Sequence, residues 1–208
     1  MNIVFDFGGV VFRWHPASFL ARVWPHRVAD VDEGAVVAAQ FFENYGGDWG
    51  AFDQGLIDAE TVIARITERT GWPRAEVAQV VAEVPNELQL QTDTAALIEE
   101  LKQAGHRLFY LSNMPEPYAD HLERSHPLNE WFESGVFSGR VKHSKPRQPI
   151  FEIASQQFGL APKDCIFLDD HPANIEAAQA LGWQAVLFTN AAEARQALSA
   201  LGAVASVR

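Results

Sequence analysis

Three short apolar runs, each followed at once by small polar or acidic residues, constrain the fold of this chain most strongly. The runs and the residues that follow them are 2–5 before Asp6, 107–111 before Ser112 and Asn113, and 165–168 before Asp169 and Asp170. Continuous apolar runs of this length are typical of strands that are covered on both faces of a parallel sheet. We therefore expect the polar residues to meet at the carboxyl edge of one sheet, where ligands bind in open α/β folds.

Helical patterns alternate with these runs, and proline and glycine mark their ends. Pro149 and Pro172 stand at favoured first helical positions, and Gly105 and Gly182 stand just after a last turn. The other predicted elements are helices over 92–104, 149–158, 172–181 and 191–203 and strands over 184–189 and near 131–138. Because strand and helix alternate, the sequence predicts an α/β fold with a doubly wound, Rossmann-like parallel sheet.

A long insertion separates the first strand from the helix that precedes the second. It shows helical patterns over 17–23, 31–42 and 59–70 and no convincing strand pattern. Such a segment is too long for a loop between a strand and a helix. We therefore expect an α/β core formed by 1–13 and 87–208 and an α-helical cap formed by 14–86, which would sit as a lid above Asp6.

Charge and cysteine content narrow the partners and the compartment. The formal net charge is -11, with 27 acidic against 16 basic residues, which argues against a nucleic-acid partner. No apolar run approaches the roughly 18 residues of a membrane span, so we expect no membrane partner. Cys165 is the single cysteine, and the N-terminal apolar stretch carries Asp6 and no basic leader. We expect a cytoplasmic protein, either a monomer or a homodimer.

The polar residues at the predicted strand ends have chemistry that fits together. Clustered carboxylates repel one another unless a cation joins them, and oxygen ligands suit Mg²⁺. A carboxylate can also attack phosphorus and form an aspartyl-phosphate. Hydroxyl, amide and ammonium groups can bind the phosphoryl oxygens, and loop amides around Gly9 can form an anion nest. The residues concerned are Asp6, Ser112, Asn113, Lys145, Asp169 and Asp170.

In order and spacing these residues resemble the haloacid dehalogenase-like (HAD) hydrolase superfamily, in the subfamily with a helical cap after the first motif. The four matching motifs are Asp6-Phe7-Gly8-Gly9-Val10, Leu111-Ser112-Asn113, Lys145-Pro146-Arg147-Gln148-Pro149-Ile150-Phe151, and Phe167-Leu168-Asp169-Asp170 with Asn174 and Gly182. The match spans nearly the whole chain. The first motif is similar to that of bacterial glucose-1-phosphate phosphatases in this superfamily.

The resemblance implies a Mg²⁺-dependent phosphatase that acts on a small phosphorylated metabolite through an aspartyl-phosphate. Asp6 would be the nucleophile, with Lys145 as the second catalytic residue. The implied metal ligands are Asp6, the Gly8 carbonyl, Asp169 and Asp170. The implied phosphate-binding residues are Gly9, Ser112, Asn113 and Lys145.

One departure from the family pattern concerns Gly8. Most phosphatases of the superfamily carry an aspartate there, which protonates the leaving oxygen and later activates water. A general acid contributes roughly 10²–10⁴-fold in rate. The loss of this aspartate leaves three expectations. The enzyme is slow, or its substrate has a leaving group that needs little protonation, or the proton comes from a residue of the cap or from the substrate itself. A sugar phosphate, such as a sugar 1-phosphate, is the first substrate expectation.

Other readings stay open at this stage. The alternatives are a metal-free 2-haloacid dehalogenase, which the acidic pair disfavours, a phosphate-binding domain without turnover, and a mutase, which Gly8 disfavours. Structural roles are also open, since aspartates cap helices, Ser-Asn pairs form turns, and loop lysines are commonly solvated. In the cap, the candidates for substrate contact are Arg13, Trp14, Tyr45 and Trp49.

Overall fold

The computed structural model describes residues 1–203, and a five-stranded parallel sheet forms its centre. The strands are β1 (Asn2–Phe5), β2 (Arg107–Ser112), β3 (Ser134–Phe137), β4 (Cys165–Asp169) and β5 (Gln184–Leu187). They are ordered β3-β2-β1-β4-β5, and every neighbouring pair is parallel. The strand order reverses between β1 and β4, so the predicted doubly wound sheet is confirmed and its switch point lies at these two strands.

Helices connect the strands and also fill the long insertion. Within residues 1–203 they are α1 (Pro16–Val23), α2 (Val31–Phe42), α3 (Gly47–Asp53), α4 (Ala59–Thr70), α5 (Arg74–Glu87), α6 (Thr92–Gln103), α7 (Glu116–Ser125), α8 (Leu128–Trp131), α9 (Ser138–Val141), α10 (Gln148–Phe158), α11 (Pro172–Ala180) and α12 (Ala191–Ala200). In this part of the chain, none of them is both long enough and apolar enough to cross a bilayer.

The central strands are buried on both faces, as their continuous apolar sequences require. Val4 lies in register with Phe109 of β2 and Phe167 of β4, and these three side chains pack in one cluster beneath α10. Ile3 and Phe5 point to the opposite face and pack in a second, larger cluster. All of these side chains are almost fully excluded from solvent. Alternation of the Cβ direction along the strand therefore supplies both cores from one apolar run.

Helices α1–α5 occupy the segment that the sequence assigns to a cap. They share an aromatic core in which the buried Trp24 packs edge-on against the buried Phe41 and the partly buried Trp72. The two segments that connect this insertion to the core are joined by a hydrogen bond in which Arg13 N donates to Gln89 O, at 2.8 Å. The domain limits 1–13, 14–86 and 87–208 stay predictions, and 204–208 lie outside the described residues.

Candidate active site

The carboxyl ends of β1 and β4 bring three aspartates together at the switch point. Phe5 is in register with Leu168, so the residues that follow them, Asp6 and Asp169, lie side by side. Asp6 N donates to Leu168 O at 2.9 Å and extends the pairing by one residue. Carboxylate oxygens of Asp6, Asp169 and Asp170 all lie within 4.8 Å of one another. The convergence expected from the strand-end pattern is thus present in the fold.

Lys145 joins two of these aspartates from inside the protein. Its side chain is 0% exposed, and its Nζ lies 2.9 Å from Asp6 Oδ1 and 2.6 Å from Asp169 Oδ2. The same Nζ donates to Leu111 O at 2.9 Å. All three contacts are to oxygen acceptors, which satisfies the three donors of an ammonium group.

Asn113 holds the Lys145 segment in place. Lys145 N donates to Asn113 Oδ1 at 2.8 Å, and Asn113 Nδ2 donates to Lys145 O at 3.0 Å. This two-way bond uses the side-chain oxygen and one amide hydrogen of Asn113. The sequence predicts a phosphate-binding role for Asn113; the structure adds a positioning role that sequence reasoning missed.

Asp169 is enclosed by donors, whereas Asp170 faces solvent. The Asp169 side chain is 0% exposed. Besides Lys145, its oxygens accept from Asn174 Nδ2, at 3.0 Å each, and from His171 N, at 2.8 Å. Asp170 is exposed. Asp169 therefore anchors Lys145, and Asp170 is the carboxylate that is open to a ligand.

The charges of this cluster do not balance. When all three aspartates are ionised, one ammonium leaves two negative charges uncompensated. Burial, together with the charges of Asp169 and Asp170, raises the pKa of Asp6 to about 7, although Lys145 acts in the opposite direction. Burial disfavours the charged form of Lys145, but Asp169 and Asp6 outweigh it and raise its pKa. A set of oxygen ligands with excess negative charge fits a hard divalent cation such as Mg²⁺.

The glycine pair after Asp6 allows the loop to pass close to this cluster. Gly9 has φ +80°, a conformation that strains other residues, and a Cβ built there would lie 2.2 Å from Asp170 Oδ2 and displace that carboxylate. The Gly9 N–H donates to Phe12 O at 2.8 Å, so this amide is used within the loop. The phosphate-binding role of Gly9 stays a prediction that this hydrogen bond does not support. Gly8 lines the cavity above the cluster.

Ser112 ends β2 beside the cluster. It is 1% exposed, and its Oγ has no hydrogen-bond partner among residues 1–203. Buried hydroxyls in folded proteins are nearly always bonded. An unsatisfied buried hydroxyl at the end of a central strand is consistent with a group whose hydrogen bond is made to a bound ligand.

A cavity of about 190 Å³ lies between the carboxyl edge of the sheet and the helical insertion, whose helices α3 and α5 contribute to its lining. Asp6, Lys145 and Asp170 contribute to its polar end. Aromatic and aliphatic walls are formed by Trp14, Tyr45, Trp49, Val84, Leu88, Met114 and Tyr118, and polar side chains are added by Asn44, Asp53, Asn113, His171 and Asn174. Three of the four cap residues predicted to contact substrate therefore face the cavity. The fourth, Arg13, pairs with Glu87.

Asp53 also lines this cavity, and sequence reasoning did not single it out. It is the last residue of α3 and is 6% exposed. A signal was present, since Asp53 follows the buried Trp49 by four residues and so lies on the same helix face.

The motifs and the fold agree with a comparison against known families. A family described as haloacid dehalogenase-like hydrolase matches residues 1–182. The chain belongs to this family. The resemblance drawn from the four motifs is confirmed at the level of the superfamily, and the protein is a haloacid dehalogenase-like hydrolase.

Related proteins include phosphatases of two kinds. The chain is 26% identical to a sesquiterpene phosphatase of Aspergillus oryzae, over 90% of this chain and 89% of that protein. It is 23% identical to a D-ribitol-5-phosphate phosphatase of Bacteroides thetaiotaomicron, over 96% and 97%. A solved family member from the same bacterium, in complex with magnesium and inorganic phosphate, superimposes with a TM-score of 0.69 at 21% identity and covers 90% of this chain and 93% of that one. The last comparison supports the fold.

Proposed function

We propose that this hydrolase is a Mg²⁺-dependent phosphatase that transfers the phosphoryl group of a small phosphate monoester to Asp6 and then to water. The observation that carries the proposal is the joining of Asp6 and Asp169 by the buried Lys145, with the open Asp170 beside them. The phosphatases among its relatives support the same reaction class.

The chain's own residues divide the work in this proposal. Asp6 attacks phosphorus, and Lys145 keeps the Asp6 carboxylate ionised and correctly placed. The Ser112 hydroxyl, which has no hydrogen-bond partner in the described part of the chain, donates to a phosphoryl oxygen. Asp6, Asp170 and the Gly8 carbonyl would hold Mg²⁺, with Asp169 in support. When bound, the cation supplies compensation for the negative charge shared by carboxylates and phosphate.

The charge of the cluster favours this reaction over its competitors. A metal-free haloacid dehalogenase must bind a substrate carboxylate, and two uncompensated negative charges would repel it. Binding without turnover is disfavoured because Asp6 is open to the cavity and backed by Lys145. A mutase needs an acid/base aspartate at the position of Gly8.

The walls of the cavity favour a phosphate ester with an apolar organic group over a sugar phosphate. Trp14 Nε1 donates to Tyr45 Oη at 3.0 Å, and Tyr118 Oη donates to Val81 O at 2.8 Å. These indole and hydroxyl groups of the aromatic wall are already paired, and the polar side chains of Asn44, Asp53 and His171 complete the lining. An alkyl or isoprenoid phosphate would instead gain from burying apolar surface.

The proposal is tested by measuring phosphate release from a panel that contains isoprenoid monophosphates, ribitol 5-phosphate and glucose 1-phosphate, with Mg²⁺ and with EDTA. We expect release that requires Mg²⁺, is fastest with an isoprenoid phosphate, and is lost in Asp6→Asn. Asp164→Asn, at an exposed position, is the matched control and should retain activity. Undiminished release in EDTA or by Asp6→Asn would contradict the proposal.

A further inference from the structure

Asp53 reaches the cavity from the cap side, opposite the sheet. The residue ends α3, and it lines the same cavity as Asp6 and Asp170. Its backbone is fixed to the core, because Ser138 Oγ donates to Asp53 O at 2.5 Å while accepting from Met114 N at 2.8 Å. The position of Asp53 relative to the sheet edge is therefore set by a direct contact between cap and core.

The Asp53 carboxyl group is buried without a polar partner among the residues that the structure describes. Among residues 1–203, no hydrogen bond or ion pair to its side-chain oxygens is present, although the residue is only 6% exposed. A buried carboxylate without a partner is costly, and an apolar residue would stabilise this helix end better. The part of the Asp53 residue that is exposed lines the same cavity as Asp6.

The surroundings of Asp53 favour its protonated form. Burial, and then the negative charge of Asp6, raise the pKa of Asp53 to about 8. Tyr45 and Tyr118 share the cavity, and burial raises both of their pKa values, so both are neutral. The nearby Lys142 Nζ is bound by two backbone carbonyls, those of Gly55 and Gly139. A neutral carboxylic acid at this position is able to donate a proton.

On the sheet side, the usual acid/base aspartate of the reaction proposed above is missing, and His171 is the alternative donor that lines the cavity there. Gly8 stands where an aspartate would supply the proton, and it has no side chain. The Tyr118 hydroxyl already donates to Val81 O. We propose that Asp53, presented by the cap, protonates the leaving oxygen and then activates water, in place of the residue missing at position 8. This inference rests on the proposed phosphatase function.

The proton balance closes over the two steps. In the first step, the P–O bond of the ester breaks, the leaving oxygen takes the proton of Asp53, and the phosphoryl group bonds to Asp6. In the second step, the Asp53 carboxylate takes a proton from water as the water oxygen attacks phosphorus. The bond between phosphorus and Asp6 then breaks, inorganic phosphate leaves, and Asp53 is protonated again.

The test compares two leaving groups in Asp53→Asn, which preserves size and removes the proton. An alkyl phosphate needs a proton on its leaving oxygen, whereas p-nitrophenyl phosphate releases a stable phenolate without one. With the alkyl phosphate we expect the first turnover to slow by about 10²–10⁴-fold. With p-nitrophenyl phosphate we expect a burst of about one equivalent at nearly the wild-type rate, followed by slow turnover.

Asp48→Asn, which alters another aspartate of the same helix, is the control and should keep both rates. Equal slowing of the first turnover with both substrates would overturn the inference, as would an unchanged rate with the alkyl phosphate. Asp53→Glu, which retains the carboxyl group, should recover part of the alkyl phosphate activity, and it serves also if Asp53→Asn does not fold. Asp6→Asn should abolish the burst itself, so failure of the phosphatase function is distinguished from failure of the role of Asp53.

Discussion

Replacement of Lys145 by methionine tests the electrostatic design of the site. Methionine approximates the length of lysine but removes the ammonium group. Its loss leaves Asp6 and Asp169 facing each other, with Asp169 fully enclosed. Removing one partner of a buried ion pair costs about 3–5 kcal/mol. We expect a loss of unfolding free energy of this size at pH 7.5 without metal.

The loss should depend on pH with a definite sign. In the wild type, burial already raises the pKa of Asp6 and Lys145 lowers it, so without the ammonium this pKa rises further above its unfolded value near 4. The folded variant then binds protons that the unfolded chain has released, so its stability falls as the pH rises through this interval. The difference from wild type should therefore be smaller at pH 5 than at pH 7.5.

Urea denaturation in EDTA at the two pH values measures both effects. Lys163→Met, at an exposed position, is the control and should change stability by no more than about 0.5 kcal/mol. A Lys145→Met variant within about 1 kcal/mol of wild type at pH 7.5 would refute the reasoning, since it would show that the two carboxyls do not require the ammonium.

Two further predictions concern single residues around the cavity. Gly9→Ala should weaken Mg²⁺ binding in a calorimetric titration, since its Cβ would lie 2.2 Å from Asp170 Oδ2. The control is Gly71→Ala, which has a similar φ of +71° and no atom within 4 Å, and it should change only stability, by about 1 kcal/mol. Equal effects of the two substitutions on Mg²⁺ binding would contradict this prediction. Burial raises the pKa of Asp53 to about 8, so between pH 5 and 8 the folded protein holds a proton that the unfolded chain has released. The unfolding free energy of the wild type, measured in EDTA against that of Asp53→Asn, should therefore fall by about 4 kcal/mol as the pH rises from 5 to 8. Parallel pH profiles would contradict the second prediction.

The strands could be predicted because a parallel sheet buried on both faces requires continuous apolar sequence. The run 2–5 coincides with β1, and the run 165–168 lacks only the last residue of β4. The segment near 131–138 was less well defined, because β3 has four residues and begins three positions after the end of the short helix α8. Two insertion helices, α3 and α5, were missed. α5 carries Pro85 in its last turn, and α3 begins among glycines, and both are signals that usually end helices.

The chemistry at the strand ends was more predictable than its support. Asp6 and Asp169 follow strands, so their convergence is a consequence of register alone. The bracing of Lys145 by Asn113 and the approach of Asp53 depend on how loops and cap pack on the core. Long-range packing of this kind leaves no periodic trace in the sequence. The apolar character of the cavity wall likewise emerges only when residues from the cap and from the loop after β2 are brought together.

Covalent capture of the phosphoryl group on Asp6 is the central claim, and acid-quenched mass spectrometry tests it most directly. Enzyme that is turning over its preferred phosphate ester in the presence of Mg²⁺ is quenched in acid, digested and mapped. We expect a phosphoryl adduct on the peptide that contains Asp6, and its absence from Asp6→Asn. Steady product formation with no adduct on this peptide, or with an adduct on another residue, would contradict it.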